Sequence, residues 1–63
     1  MFEEELKNYP DLMSPEQVAN LCQCSKGFIR REIARNNLKS LKISRKFRIP
    51  KKYLIEYLEK QVV

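Results

Sequence analysis

Histidine is absent from the 63 residues, glycine occurs once, cysteine twice, and no long apolar run is present. Each shortage removes a class of function. Without histidine, a Gly-rich phosphate loop or a nucleophile with a base beside it, the chain points away from catalysis, and no catalytic residue is assigned. Cys22 and Cys24 form a lone C-x-C, half the ligands that zinc normally takes. A disulfide across one residue would be strained, so both thiols read as small packing residues, with no metal or cofactor expected. No run approaches the roughly 18 apolar residues needed to span a bilayer. The start, "MFEEEL", is acidic where a secretory signal would be basic, so a cytoplasmic protein without membrane contact is expected. A chain this short forms one domain with little room for a deep pocket, and no small-molecule ligand is expected.

What is present is charge, unevenly placed. The composition, 43% hydrophobic and 33% charged, is that of a folded domain rather than a disordered tail. The net charge of +5 divides into −4 over residues 1–24, +10 over 25–52 and −1 over 53–63. Glu32 is the only acid in the central block. A solvated surface usually intersperses both signs, so this clustering is the electrostatic footprint of a polyanion-binding protein.

Periodicity places that block on defined elements. In "LMSPEQVANLC" Ser14 can cap a helix, Pro15 suits its first position, and Gln17 completes a capping box. Met13 and Val18 stand where a hydrophobic staple lies, and Val18, Leu21 and Cys22 make one apolar stripe ending near Cys22. "QCSKGFIRREIARNN" restarts at once, with Ser25 as a second cap, Ile29 and Ile33 as the buried side, and Asn36-Asn37 suited to a left-handed exit. Two short helices about three residues apart are a helix-turn-helix arrangement. Opposite the two isoleucines lie Gly27, Arg31, Ala34 and Arg35, flanked by Arg30 and Phe28. A small, cationic face of this kind suits a major groove, where Arg addresses guanine edges or phosphates.

From Leu38 the period changes to two. Leu41, Ile43, Phe47 and Ile49 are expected to point inward and Lys42 and Arg48 outward, with Ser44–Lys46 connecting the strands of a β-hairpin. Pro50 ends the second strand and opens a last helix, where Leu54, Leu58 and Ile55 pack inward and Tyr53 and Tyr57 lie at the margin. The acidic leader, residues 1–11, is either frayed or a short helix in which Phe2 and Leu6 share a face. Residues 12–63 form the folded unit.

The stretch "LMSPEQVANLCQCSKGFIRREIARNNLKSLKISRKFRIPKKYLIEYLE" resembles the excisionase/MerR-like winged helix-turn-helix family. The resemblance rests on "SPEQVANL", "SKGFIRREI" and "LKISRKFRIPKKYLIEYLE" in that order and spacing. It implies a mainly α fold with a two-stranded wing and a C-terminal helix. The helix Ser25–Asn36 would enter a major groove, and a wing at Ser44–Lys46 would touch the adjacent minor groove or backbone. Three positions depart from the family pattern. Gln23 stands where Gly is common, and a left-handed Gln costs about 1 kcal/mol, so a reshaped turn is expected. Glu32 occupies a usually apolar position, and Asn36-Asn37 replaces a common Gly.

The expected DNA-contacting residues are therefore Ser25, Lys26, Gly27, Phe28, Arg30, Arg31 and Arg35 on the helix, and Lys42, Ser44, Arg45, Lys46 and Arg48 on the wing. Ser25 and Lys26 suit phosphate, because free backbone N–H groups lie at a helix start. Gly27 has two readings, a close approach to DNA or an ordinary weak spot in a first turn. The resemblance implies an excisionase, a recombination directionality factor that binds and bends double-stranded DNA and assists an integrase. No effector domain or long dimerisation helix follows the wing, which argues against a ligand-sensing regulator. Cooperative self-association on DNA is expected instead, the acidic segments of one copy meeting the basic wing region of the next. A small transcriptional regulator of a phage, plasmid or transposon remains the alternative, and an antitoxin-like interaction module the third.

Overall fold

The computed structural model describes residues 4–62, so Phe2 lies outside the described residues. Six elements follow in order: β1 (Leu12–Met13), α1 (Pro15–Cys22), α2 (Lys26–Ala34), β2 (Leu41–Ile43), β3 (Lys46–Pro50) and α3 (Lys51–Lys60). The strands form one antiparallel sheet in the order β1-β3-β2. This is a winged helix-turn-helix: α1 and α2 are the helix pair, β2 and β3 the wing, and α3 the closing helix. β1 is an addition to the sequence reading, because two residues are too few to show a period.

The helix boundaries follow from the capping chemistry. Ser14 Oγ accepts from the Gln17 amide at 3.2 Å, and Gln17 Oε1 accepts from the Ser14 amide at 2.9 Å, the reciprocal pair of a capping box. Met13 and Val18 are both fully buried, as the staple requires. At the other end of α1, Gln23 is left-handed (φ 56°, ψ 45°) and its N–H returns to Ala19 and Asn20 carbonyls. The turn is thus not reshaped for want of glycine; Gln adopts the glycine conformation, with Cys24 also bonded to the Ala19 carbonyl. Ser25 caps α2 through the Phe28 amide at 3.0 Å, and Asn36 (φ 62°) supplies the left-handed exit.

The core gathers one or two side chains from every element except β2. Leu6, Met13, Val18, Ala19, Ile29, Ile33, Leu38, Ile49, Leu54 and Tyr57 are buried, with Leu21, Cys22, Cys24, Phe47, Ile55 and Leu58 packed against them. Leu6 is 1% exposed, so the leader contributes a core side chain. The thiols sit half-buried on this core, and burial together with the neighbouring Cys24 pushes the Cys22 thiol up. Tyr57 belongs to the core rather than the margin, because Leu54 and Tyr57 lie i, i+3 on the face that α3 buries.

The wing corrects the sequence reading most clearly. Leu41 pairs with Arg48, Lys42 with Phe47 and Ile43 with Lys46, so only Ser44 and Arg45 form the turn. Both have positive φ (52° and 68°), the requirement of a tight two-residue hairpin of the type I′ class. The three-residue connection expected over Ser44–Lys46 would have set Ile43 opposite Phe47. Removing one residue from the turn slips the register and exchanges the faces of β2. Leu41 and Ile43 consequently lie outward, 42% and 45% exposed, while Lys42 shares the face of Phe47. The Lys42 ammonium stands 5.6 Å from the Phe47 ring centroid, a cation–π arrangement. Phe47 and Ile49 do face inward and Arg48 outward, as β3 alone predicted.

Candidate nucleic-acid interface

The exposed side of α2 carries the residues expected from its periodicity. Gly27, Phe28, Arg30, Arg31, Ala34 and Arg35 are all exposed, while Ile29 and Ile33 anchor the opposite side in the core. The nine residues of α2 make a rod about 13 Å long, and a helix about 10–12 Å across with its side chains fits the roughly 12 Å width of a major groove. Arg30, Arg31 and Arg35 have no acidic ion-pair partner among the described residues. Their guanidinium donors are thus available to an external acceptor.

The start of α2 combines several features. The Ser25 cap occupies the Phe28 amide, and the amides of Lys26 and Gly27 precede the first intrahelical bond. Lys26 Nζ meets Glu16 Oε1 at 3.2 Å, an exposed pair between the two helices. Such an exposed pair contributes little stability. At Gly27 an added Cβ would meet nothing nearer than Ser25 Oγ at 4.0 Å, so packing within the chain does not demand glycine there.

The wing is brought beside α2 through β1. Pairing of Met13 with Ile49, and of Leu12 with Pro50, ties the start of α1 to β3. The Lys51 amide also donates to the Asp11 carbonyl at 3.0 Å. An open cleft of about 560 Å³ results, lined by Ser14, Pro15 and Glu16 from α1, Arg30 from α2, and Arg45, Lys46, Phe47 and Arg48 from the wing. Four cations and one acid border it. The Arg48 guanidinium is half-buried and folds back on its own strand, donating to the Phe47 carbonyl at 3.0 Å. Ser44, Arg45 and Lys46 are exposed at the tip. Of the residues singled out in sequence, Arg30, Arg45, Lys46 and Arg48 converge on this cleft, while Arg31 and Arg35 do not line it. The contribution of Ser14 and Glu16 was not legible, since it depends on the short β1–β3 pairing.

Glu32 lies on α2 with a different set of partners. Tyr57 Oη donates to its Oε1 at 2.6 Å, and Asn37 Nδ2 to its Oε2 at 3.1 Å. The Tyr57 bond, then the Asn37 bond, hold its carboxyl below the usual range, with smaller help from Arg35 and Arg31. Burial and the same bond raise the Tyr57 phenol above its ordinary value. The polar residue at a usually apolar position is thereby explained: a tyrosine of α3 meets it.

Among the described residues there is no group of three or more potential metal-ligating side chains, and no helix is long and apolar enough to cross a membrane. No curated protein and no solved structure matches the chain. The family described as Helix-turn-helix domain, a DNA-binding family that includes excisionase-like proteins, matches residues 12–62. That range takes in both helices, the whole wing and α3, so the chain belongs to the helix-turn-helix domain family and is a sequence-specific binder of double-stranded DNA.

Proposed function

We propose that this protein is a cytoplasmic excisionase of the MerR-like winged-helix type, a recombination directionality factor. It binds and bends DNA near an attachment site and promotes integrase-mediated excision of a mobile element. The observation that carries the reading is the continuity of cationic groups from α2 to the wing: Arg30 shares a cleft with Arg45, Lys46 and Arg48. A phosphate backbone running through that cleft leaves α2 in the major groove, where Arg31 and Arg35 address bases or phosphates. Lys26, with the amides at the start of α2, takes a phosphate. Gly27 lies where the duplex approaches closest. Lys42, on the same face as Phe47, and Ser44 complete the wing contacts.

On this reading several copies bind side by side. A body of 30 × 24 × 18 Å spans roughly nine base pairs at 3.4 Å each, a small footprint for specific binding at physiological salt. Adjacent copies can supply the remainder by heterologous contact. The exposed acids Glu4 and Glu5 offer one side of such a contact, while exposed Leu41 and Ile43 beside Lys46 offer the other.

The test is reconstituted excision. The gene neighbourhood is searched for an integrase, and purified protein is added to that enzyme on a DNA substrate carrying its attachment sites. Stimulated excision, with stepwise mobility shifts and increased bending on a multi-site fragment, supports the proposal. Tight specific binding that leaves excision unchanged while repressing a neighbouring promoter would replace it with the transcriptional-regulator reading.

A further inference from the structure

Glu32 is the only carboxylate within residues 25–52, and it sits beside the arginines assigned to DNA. Arg31 precedes it directly, and Arg35 lies three residues on, close enough on a helical surface for an ion pair. No such pair forms; instead Oε1 accepts from Tyr57 and Oε2 from Asn37, which hold the carboxylate on the α3 side. Tyr57 comes from α3, 25 residues away in sequence, and its ring is buried in the core. Its hydroxyl is therefore a fixed donor, set by the packing of α3 rather than by α2. The carboxylate is ionised at neutral pH, since the hydrogen bonds from Tyr57 and Asn37 favour the charged form.

We propose that Tyr57 is a positioning residue for DNA binding, its hydroxyl holding the Glu32 carboxylate toward α3 so that Arg31 and Arg35 stay unpaired for the nucleic acid. The inference rests on the assignment of those arginines to DNA contact. Without the hydroxyl, Glu32 turns toward Arg35 and competes with phosphate or base for the same guanidinium. It also brings a carboxylate nearer the duplex. Asn37 alone, an exposed side chain on the loop after α2, lacks the rigidity to prevent this.

Four proteins test the proposal: wild type, Tyr57→Phe, Glu32→Gln and the double variant. The probe is a duplex selected from a random library by the wild type, with affinity measured at two salt concentrations below each variant's unfolding transition. Tyr57→Phe should weaken binding about two- to fivefold, the range over which an exposed ion pair competes. Glu32→Gln should bind at least as tightly as wild type, since it removes the competing charge. In the Glu32→Gln background, Tyr57→Phe should no longer weaken binding. A tyrosine that merely supports the fold would lower affinity equally in both backgrounds, and that result overturns the proposal, as does unchanged affinity in Tyr57→Phe. Should Tyr57→Phe not fold, the Glu32→Gln variant decides alone, weaker binding than wild type being the adverse result. Failure of the wild type to enrich any duplex refutes the underlying DNA-contact assignment instead, a separate outcome from an additive cycle.

Discussion

Ser44 and Arg45 occupy a tight turn with positive φ at both positions, although neither is glycine or asparagine. Substituting the pair with Asn and Gly should therefore separate the stability of the wing from its use. A left-handed residue other than Gly or Asn costs roughly 1–2 kcal/mol. Relief at two positions, less the extra chain entropy of Gly in the unfolded state, should raise stability by about 1–2 kcal/mol. For a domain of this size each kcal/mol moves the melting temperature by roughly 4–8 °C. Thermal unfolding followed by circular dichroism reads that shift. The same substitution removes the Arg45 guanidinium from the cationic cleft. Loss of one phosphate contact should reduce the slope of log affinity against log salt by about 0.9. A more stable protein that binds DNA less tightly is the expected result. An unchanged or lowered melting temperature would refute the two-residue turn, and with it the register that places Lys42 beside Phe47.

Three further outcomes follow from individual residues. Gly27→Ala meets open space within the chain, so it should stabilise α2 by about 0.5–1 kcal/mol while weakening DNA binding; denaturant unfolding and duplex titration measure the two effects, and tighter or unchanged binding would remove the close-approach role of Gly27. Ser14→Ala breaks the capping box and should lower stability by about 1 kcal/mol in the same unfolding experiment. The raised phenol of Tyr57 implies stability fully present below the ordinary tyrosine range and lost as pH climbs toward the higher folded value. Alkaline unfolding should accordingly start at lower pH in wild type than in Tyr57→Phe once their neutral-pH stabilities are matched.

The sequence carried the helices because their signals are local. Ser14-Pro15-x-Gln17, Ser25 and the Ile29–Ile33 spacing each act within one turn, and the structure places caps and core where they indicate. The hairpin was legible in its existence but not in its register. In "KISRKFRIP" alternation alone favours a three-residue turn, which sets Ile43 opposite Phe47, whereas the tight two-residue turn at Ser44 and Arg45 sets the register without a glycine or asparagine to mark it. β1 is unmarked too, because its pairing of Met13 with Ile49 is a long-range contact with no local signal. For the same reason the cleft between α1 and the wing was invisible, whereas the arginines that border it were not. In the sequence Glu32 stands as an acid out of place and Tyr57 as a tyrosine at a margin. Their meeting depends on how α3 crosses α2, which no spacing in either helix specifies.

DNA reading by the exposed face of α2 is the property on which the proposed function depends. Selection from a random duplex library, followed by titration of the selected duplex with wild type and with Arg30→Ala, Arg31→Ala and Arg35→Ala, tests it most directly. The wild type should enrich a defined sequence, and Arg31→Ala should weaken binding by about 1–3 kcal/mol and flatten the preference at one or two base pairs, as loss of a base-edge contact does. Wild-type affinity and wild-type base preference in all three alanine variants would contradict the assignment of this face.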